Sequence, residues 1–370
     1  MSAARVHFPS GSTFHSDLKA RVQAYFERTG REPHGGRAIQ LKTAILTVWL
    51  VGSYALVIFA DVGPVLAALL TISIGLAMAG IGFGVMHDAN HGSYAKSPRL
   101  NRVMGFSMDV LGASSHVWRQ KHNILHHTYT NIVGLDTDIE ASSMLRLAPS
   151  QPRRGFHRFQ HLYIWILYGV FPLKWWFLDD SRELASGKIA SHTFPPARGW
   201  ALARALGGKA LFVAWAFVVP LLLHPTWKLV PLWLLGVATL GVVTSVVFQL
   251  AHCVGRADFP QASGGGQMKA GWAEHQIATT VDFARRSQLL GWYLGGLNFQ
   301  VEHHLFPRIC HVHYPAVSAI VQKTCVDHGV VYSAEPTLWS ALGANLRWLR
   351  EMGRGPAHGG LSLQGAQQPA

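Results

Sequence analysis

Residues 64–91 read PVLAALLTISIGLAMAGIGFGVMHDANH, in which an uncharged apolar run (64–86) is followed by two histidines four positions apart. As a helix rising 1.5 Å per residue, the part before the histidines, residues 64–86, would cross roughly 30 Å of hydrocarbon. Comparable apolar runs occupy residues 43–60, 205–223 and 229–251. The sequence therefore predicts an all-α integral membrane protein with four transmembrane helices.

The composition supports a membrane protein. The 370 residues are 49% hydrophobic and only 14% charged, which is little charge for a soluble protein. The net charge of +13 comes mostly from basic residues before residue 43, in 92–209 and after residue 252. Such a distribution favours positive-inside topology and attraction to anionic lipid, and we expect no nucleic-acid partner.

The connections predict which side each segment faces. The turns at 61–64 and 224–228 contain helix breakers and almost no positive charge, so we place them outside and pair the spans into two hairpins. Both termini are then cytoplasmic. The apolar segment 162–178 contains a lysine and a proline, and we predict a helix lying in the membrane interface.

This layout predicts three parts. They are a cytoplasmic N-terminal arm (1–42), a catalytic domain (43–340) and a C-terminal tail (341–370) that is partly disordered. The three cysteines form no CxxC pair, which is typical of a reducing compartment rather than of a disulfide framework.

Histidines cluster just outside the spans. They form an HxxxH, an HxxxHH, a single histidine after the fourth span and a QxxHH. Histidines four apart share one face of a helix, whereas adjacent ones diverge by about 100° and can address two points. One metal cannot use so many imidazoles, so we predict two metals, with these ligands: His87, His91, His122, His126, His127, His252, His303 and His304.

Two other metal proteins were weighed. A zinc protease helix would carry Glu where this sequence has Asp88, and a single zinc uses fewer ligands. A metal transporter would place its histidines mid-span. Here every histidine group lies at or beyond the end of a span, which disfavours transport.

The motifs HDANH (87–91), KHNILHHTYTN (121–131) and NFQVEHHLFP (298–307) resemble the three histidine boxes of the membrane fatty acid desaturases. Gln300 is similar to the front-end and related acyl-lipid or acyl-CoA branch. The resemblance covers about residues 40–340. It implies four spans and a cytoplasmic helical cap that holds a non-haem di-iron centre, with O₂ as co-substrate.

The resemblance also implies a reaction. We expect a cis double bond to be introduced into a long-chain acyl group, with two electrons from a separate donor of the ferredoxin or cytochrome b5 type. Many front-end members carry a fused cytochrome b5 domain, but residues 33–36 (PHGG) have the haem motif in the wrong order, so we expect no haem. A fatty-acyl hydroxylase on the same scaffold is the alternative, since the same oxidant can return oxygen to the substrate.

Further candidates surround the boxes. Metal-bound histidines need an acceptor for their second nitrogen, and the candidates for this or for weak metal binding are Asp88, Asp138, Glu302, Gln300 and His275. For Asp136 we favour a solvated loop charge. Candidate contacts to the acyl chain, its head group or the electron donor are Trp118, Arg119, Lys121, Trp272, Phe283, Arg285, Arg286, Trp292, Tyr293 and Arg308. We expect a bacterial inner membrane, with the endoplasmic reticulum as the alternative.

Overall fold

The computed structural model describes residues 6–140 and 142–355, and these are mostly helical. The helices in chain order are α1 (Thr13–Thr29), α2 (Gly36–Phe59), α3 (Pro64–His91), α4 (Pro98–Gly105), α5 (Ser107–Val110), α6 (residues 115–129), α7 (residues 160–186), α8 (Trp200–Leu223), α9 (Thr226–His252), α10 (Trp272–Thr279), α11 (Gln288–Tyr293), α12 (Gln300–Leu305), α13 (Tyr314–His328) and α14 (Leu338–Arg354). Short 3₁₀ turns lie at Gly155–Phe159 and His311–His313.

Four short strands accompany the helices. β1 (Lys188–Ile189) pairs antiparallel with β2 (His192–Thr193). β3 (Asp282–Phe283) pairs parallel with β4 (Ala334–Glu335) and joins the segment between α10 and α11 to the segment before α14.

All four predicted apolar runs form helices that are long and apolar enough to cross a membrane: α2, α3, α8 and α9. Three of them extend beyond the apolar runs at the end nearest the histidines. α2 begins at residue 36 rather than 43, α3 ends at 91 rather than 86, and α8 begins at 200 rather than 205. Helical hydrogen bonding does not depend on apolar side chains, so the helices continue through polar residues beyond the hydrocarbon.

Glycines let the long helices pack closely. A side chain at Gly75 of α3 would meet Thr239 at 2.8 Å and the Gly236 carbonyl at 2.9 Å, both on α9. At Gly241 of α9 it would collide with the Tyr168 carbonyl of α7. α3 and α7 therefore both lie against α9, as small residues at helix interfaces allow. The predicted segment 162–178 lies within α7 and is absent from the four candidate spans in the described residues.

Both predicted domain boundaries fall inside helices. α2 runs through the boundary at residues 42 and 43, and α14 runs through the boundary at 340 and 341. The part of the predicted tail up to residue 354 is helix. Trp348 and Leu349 pack with Ile164, and Asn345 Nδ2 donates to the Cys253 carbonyl at 2.8 Å. Residues 356–370 lie outside the described residues.

The N-terminal arm is also integrated into the fold. Phe14, Leu18 and Val22 of α1 are buried in one core cluster with Val317 and Val321 of α13. This cluster also contains residues of α10 and α12, so α1 packs against the elements that carry the third histidine box.

Candidate metal centre

Four separate segments bring the eight predicted histidines together. His87 and His91 end α3, His122, His126 and His127 lie in α6, His252 ends α9, and His303 and His304 lie in α12. Imidazole rings from different segments come close: 4.5 Å between the ring centres of His87 and His303, 4.7 Å for His126 and His252, and 4.4 Å for His127 and His304.

The ring nitrogens fall into two groups, within each of which they lie within 4.8 Å of one another. The first group is His87, His91, His122 and His303, and the second is His126, His252 and His304. His127 lies between the groups, close to both His303 and His304. The adjacent residues of the third box thus belong to different groups, which is an arrangement suited to two metal ions.

The sequence predicted that His122 and His126 aim at one point. A ring nitrogen of each lies within 4.8 Å of the other and of an Asp138 carboxylate oxygen, but the two residues also belong to different histidine groups, and their rings stack 5.2 Å apart. Residues 119–126 form a π-helix rather than an α-helix. Its wider i→i+5 turn moves residues four apart out of vertical alignment. A second π turn, Gly82–Met86, directly precedes His87. Neither turn has a recognisable signal in the hydropathy pattern.

Burial makes these side chains suitable metal ligands. The Nε2 atoms of His91, His126 and His303 are buried without any hydrogen-bond partner. His122 Nε2 faces two other Nε2 atoms, at 3.3 Å from His87 and 3.2 Å from His127. Unpaired buried nitrogens are costly, and cations between these nitrogens would satisfy them. Borderline metals such as iron accept imidazole ligands, so the residues present fit a pair of iron ions.

Four of the predicted ligands outside the long apolar helices are also held in the neutral form that binds metal. Burial lowers the pKa of His122, His127, His303 and His304 well below the ordinary value, and the neighbouring imidazoles lower it further. His126 differs: burial lowers its pKa, but the Asp136 carboxylate outweighs this and leaves it raised.

Asp136 is the orienting partner of His126. His126 Nδ1–H donates to Asp136 Oδ2 at 3.1 Å, and this carboxylate also accepts the backbone N–H of Asn131 at 2.9 Å and that of Asp138 at 3.1 Å. Asp136 is fully buried, so the interpretation as a solvated loop charge was wrong. Burial raises its pKa, but the attraction of His126 and these hydrogen bonds lower it overall.

Asp138, which the sequence favoured, lies further from the ring. Its carboxylate is 3.8 Å from His126 Nδ1 and 3.5 Å from the Lys121 amine, and it is partly exposed. It contributes to the field around His126 without a hydrogen bond to it.

Other orienting partners had no signal in the sequence, because they lie far along the chain or in segments without histidine spacing. His304 Nδ1 lies 2.8 Å from Gln276 Oε1, and His303 Nδ1 lies 3.2 Å from the Tyr314 hydroxyl. His252 Nδ1 lies 3.4 Å from the Thr279 carbonyl.

The remaining predicted residues are placed as follows. Gln300 Nε2 lies 2.9 Å from His252 Nε2 and 3.4 Å from His304 Nε2, inside the second group. His275 is buried beside Phe8 and belongs to neither group. Glu302 faces away from the histidines: its Oε1 accepts from the Tyr332 hydroxyl at 3.0 Å, and burial followed by the nearby Asp282 raises its pKa.

A largely apolar cavity of about 300 Å³ leads to the histidines. Its inner end is formed by His87, His122 and Gln300. Its walls come from α3, α6, α7 and α9: Gly82, Phe83, Met86, Trp118, Leu167, Tyr168, Val170, Phe171, Trp175, Thr244, Val247 and Phe248. Lys121, Asp138 and Lys174 are its charged lining residues.

Only part of the predicted set of substrate or donor contacts lines this cavity. Trp118 does, and it stacks on His122 at 4.3 Å between ring centres; Lys121 does as well. The other aromatic candidates have packing roles. Trp272 Nε1 donates to the His127 carbonyl at 3.2 Å, Tyr293 donates to the Leu76 carbonyl at 2.9 Å, and Phe283 is a core residue.

The remaining candidates lie away from the cavity lining. Trp292 packs against the Lys42 amine at 5.4 Å. Arg119 donates to Asn90 at 2.9 Å, and Arg285 stacks on Tyr332 at 5.2 Å. Arg286 and Arg308 are exposed.

Comparison with known proteins agrees with this site. Residues 63–336 match the family described as "Fatty acid desaturase", so the chain belongs to that family. It is 39% identical to the sn-1 linoleoyl-lipid 6-desaturase of Synechocystis sp., over 96% of this chain and 99% of that protein.

Two further relatives extend the comparison. The sn-1 linoleoyl-lipid 6-desaturase of Arthrospira platensis is 36% identical, with 96% of each chain covered. The acyl-lipid (8-3)-desaturase of Physcomitrium patens is 37% identical, over 92% of this chain and 72% of that protein. The protein is therefore an oxidoreductase of the fatty acid desaturase type, as the histidine boxes predicted.

Proposed function

We propose that this protein is an acyl-lipid desaturase that introduces a cis double bond at carbon 6 of a linoleoyl chain esterified to a membrane lipid. The observation that carries the proposal is the apolar cavity whose inner end is made by His87 and His122. The regioselectivity and the carrier follow the activity for which the two bacterial relatives are named, and both relatives match this chain almost from end to end.

The cavity suits an acyl chain that stays attached to its lipid. Leu167, Val170 and Phe171 of α7 form one wall, and Val247 and Phe248 of α9 form the opposite wall. Both helices are apolar over these residues, so an acyl chain can pass between them without crossing water. Enclosing the chain in an apolar wall also keeps water from the reacting carbon.

In this proposal the first group and His127 would hold one iron, and the second group would hold the other, with Gln300 beside it. When bound, the two irons supply the O₂-dependent oxidising power that removes hydrogen from an unactivated methylene, which no side chain can do. The protein's own residues bind the acyl chain and orient the histidine rings. Asp136 and Gln276 fix the rings of His126 and His304, and Trp118 covers His122 at the inner end of the cavity.

The charged residues lining the cavity are suited to a lipid head group. Lys121 and Asp138 pair at 3.5 Å, and Lys174 pairs with Asp179 at 2.6 Å. A polar head group can exchange hydrogen bonds with these pairs while its acyl chain enters the apolar part. Held there, the ester end fixes the distance along the chain at which the methylenes meet the histidines.

The sidedness and the donor are also part of the proposal. All eight histidines lie at one end of the four long helices, and we place that end and both termini on the cytoplasmic side of a bacterial inner membrane. A separate ferredoxin or cytochrome b5 type donor would deliver the two electrons there. Reporter fusions after residues 60, 180, 226 and 340 should read outside, inside, outside and inside.

The test is expression of the full chain in a host that contains linoleate but no 6-desaturated fatty acid. Gas chromatography with mass spectrometry should show a C18 product with a new cis double bond at carbon 6. Position-specific lipase digestion should release it from the sn-1 position. A hydroxylated product would favour the alternative reaction, and no new product with iron-loaded protein would contradict the proposal.

A further inference from the structure

A buried lysine lies beside the first histidine box. Lys42, near the start of α2, is 2% exposed. Its Nζ lies 3.0 Å from His311 Nε2 and 5.4 Å from the centre of the Trp292 ring. A lysine is rarely buried this completely without a partner that requires it, so the interaction with His311 needs an explanation.

The neighbouring helix makes room for this lysine. A Cβ atom at Gly84 of α3 would lie 2.5 Å from both Cε and Nζ of Lys42. Gly84 lies within the π turn that precedes His87. The absence of a side chain at Gly84 is therefore what allows the Lys42 amine to reach His311 across α3.

His311 connects the lysine to a buried carboxylate. Its Nδ1 lies 2.7 Å from Asp88 Oδ2, which also accepts from Cys310 Sγ at 2.9 Å. Because the Lys42 amine donates to Nε2, the ring proton of a neutral His311 must lie on Nδ1, where it donates to Asp88. Lys42 thus fixes the tautomer that stabilises the Asp88 carboxylate.

Asp88 in turn faces a predicted ligand. Its Oδ1 lies 3.9 Å from His87 Nδ1, while His87 Nε2 points to the first group, 3.3 Å from His122 Nε2. A carboxylate on the Nδ1 side favours the tautomer with a proton on Nδ1 and a free lone pair on Nε2. Lys42, His311 and Asp88 are thus joined by hydrogen bonds. The last step, from Asp88 to His87, is an electrostatic contact between two buried groups at 3.9 Å, which is beyond hydrogen-bond distance.

We propose that Lys42 is a positioning residue that acts through His311 and Asp88 to hold His87 toward the first metal, and so determines how tightly that metal is retained. The inference rests on the proposed two-iron site. It assigns to α2 a part in a centre whose ligands come from α3, α6, α9 and α12.

The test compares iron retention in full-length variants: Lys42→Met, Asp88→Asn and the double variant. Each is purified in detergent, loaded with Fe(II) without oxygen, and exposed to a ferrous chelator. Changes to groups that orient a ligand typically weaken metal binding by 10–100-fold, so Lys42→Met should lose one iron about 10–100-fold faster than the wild type. Mössbauer spectra should change for one of the two irons.

Two controls separate this role from a general effect on folding. Lys209→Met removes another partly buried lysine, which donates to the Gly112 and Trp176 carbonyls and not to the histidine network. It should lose iron at the wild-type rate. If Lys42→Met does not accumulate, Gly84→Ala displaces the amine while keeping its charge, and it should show the same faster loss.

The double variant tests the route through Asp88. Contacting residues in one network are not additive, so Lys42→Met with Asp88→Asn should lose iron within about twofold of Asp88→Asn alone. The inference would be overturned if the double variant lost iron at a rate raised by the product of the two single-variant factors. It would also be overturned if Lys42→Met lost iron at a rate within about twofold of the wild type. Wild-type protein that binds no iron would instead contradict the proposed function.

Discussion

The contrast between Asp136 and Asp138 gives the sharpest prediction about the second group of histidines. Asp136 is fully buried and accepts three hydrogen bonds at 2.9–3.1 Å, one of them from His126. Replacing it by Asn keeps the shape but removes the charge that favours a proton on His126 Nδ1. Hydrogen bonds to charged groups contribute about 1.5–3 kcal/mol, so Asp136→Asn should weaken iron binding by roughly 10–100-fold.

Asp138→Asn is the matched control, two residues away. Its carboxylate is partly exposed, 3.8 Å from His126 and 3.5 Å from Lys121. Exposed pairs of this kind contribute about 0.2–1 kcal/mol, so iron binding should change by at most about fivefold. Both variants would be measured for iron per chain by mass spectrometry and for fatty acid product in the expression host.

Comparing the two variants shows whether the buried hydrogen bond of Asp136, or merely a carboxylate near His126, supports iron binding. Asp136→Asn protein that retains iron and activity at the wild-type level would refute the assignment of Asp136 as the orienting partner. An equal loss in both variants would show that general negative charge near His126, and not the buried hydrogen bond, is what matters.

Three other predictions follow from the same geometry. Substituting Ala for His126 or His303 should abolish desaturation in membrane-inserted protein, whereas His116→Ala should retain it. The measurement is the fatty acid profile of each variant, normalised to the level of the protein, and equal losses of product would refute the ligand assignment. Gly82→Val should lower the amount of product at unchanged iron content, because Gly82 lines the cavity and the new side chain, near Met86, would narrow it. The control Gly52→Val, at a position with open space around it, should leave the amount of product unchanged. Unchanged product in Gly82→Val would argue against this cavity as the path of the acyl chain. Iron should be retained to a pH well below about 6.5, the ordinary histidine pKa, because burial depresses the pKa of four ligands, His122, His127, His303 and His304, and so delays their protonation. Chelator-accessible iron that already rises between about pH 7.5 and 6.5, above and at that ordinary pKa, would contradict this.

The choice of control histidine illustrates what sequence reasoning misses. His157 and His313 lack the spacing of the histidine boxes, which by itself would suggest that they tolerate alanine, but both are buried. His157 Nδ1 accepts the Arg154 backbone N–H at 3.1 Å, and His313 Nε2 lies 3.2 Å from the His34 carbonyl. Either substitution is now expected to lower stability, so His116, which is partly exposed, is the better control.

Hydropathy and spacing were enough to predict the four long helices and the histidine set. Apolar runs and i,i+4 patterns are local, so they can be recognised without knowing how the rest of the chain folds. The partners that orient the rings are not local: Gln276 reaches His304 from α10, and Tyr314 reaches His303 from the start of α13. Lys42 is the last residue of the predicted N-terminal arm, and its burial depends on Gly84 of another helix.

Iron content of the wild-type protein, measured after anaerobic purification and Fe(II) loading, tests the central claim most directly. Two groups of buried imidazoles with unpaired Nε2 atoms predict two iron atoms per chain. One iron per chain, or stoichiometric zinc that iron cannot replace with recovery of activity, would contradict the two-metal centre.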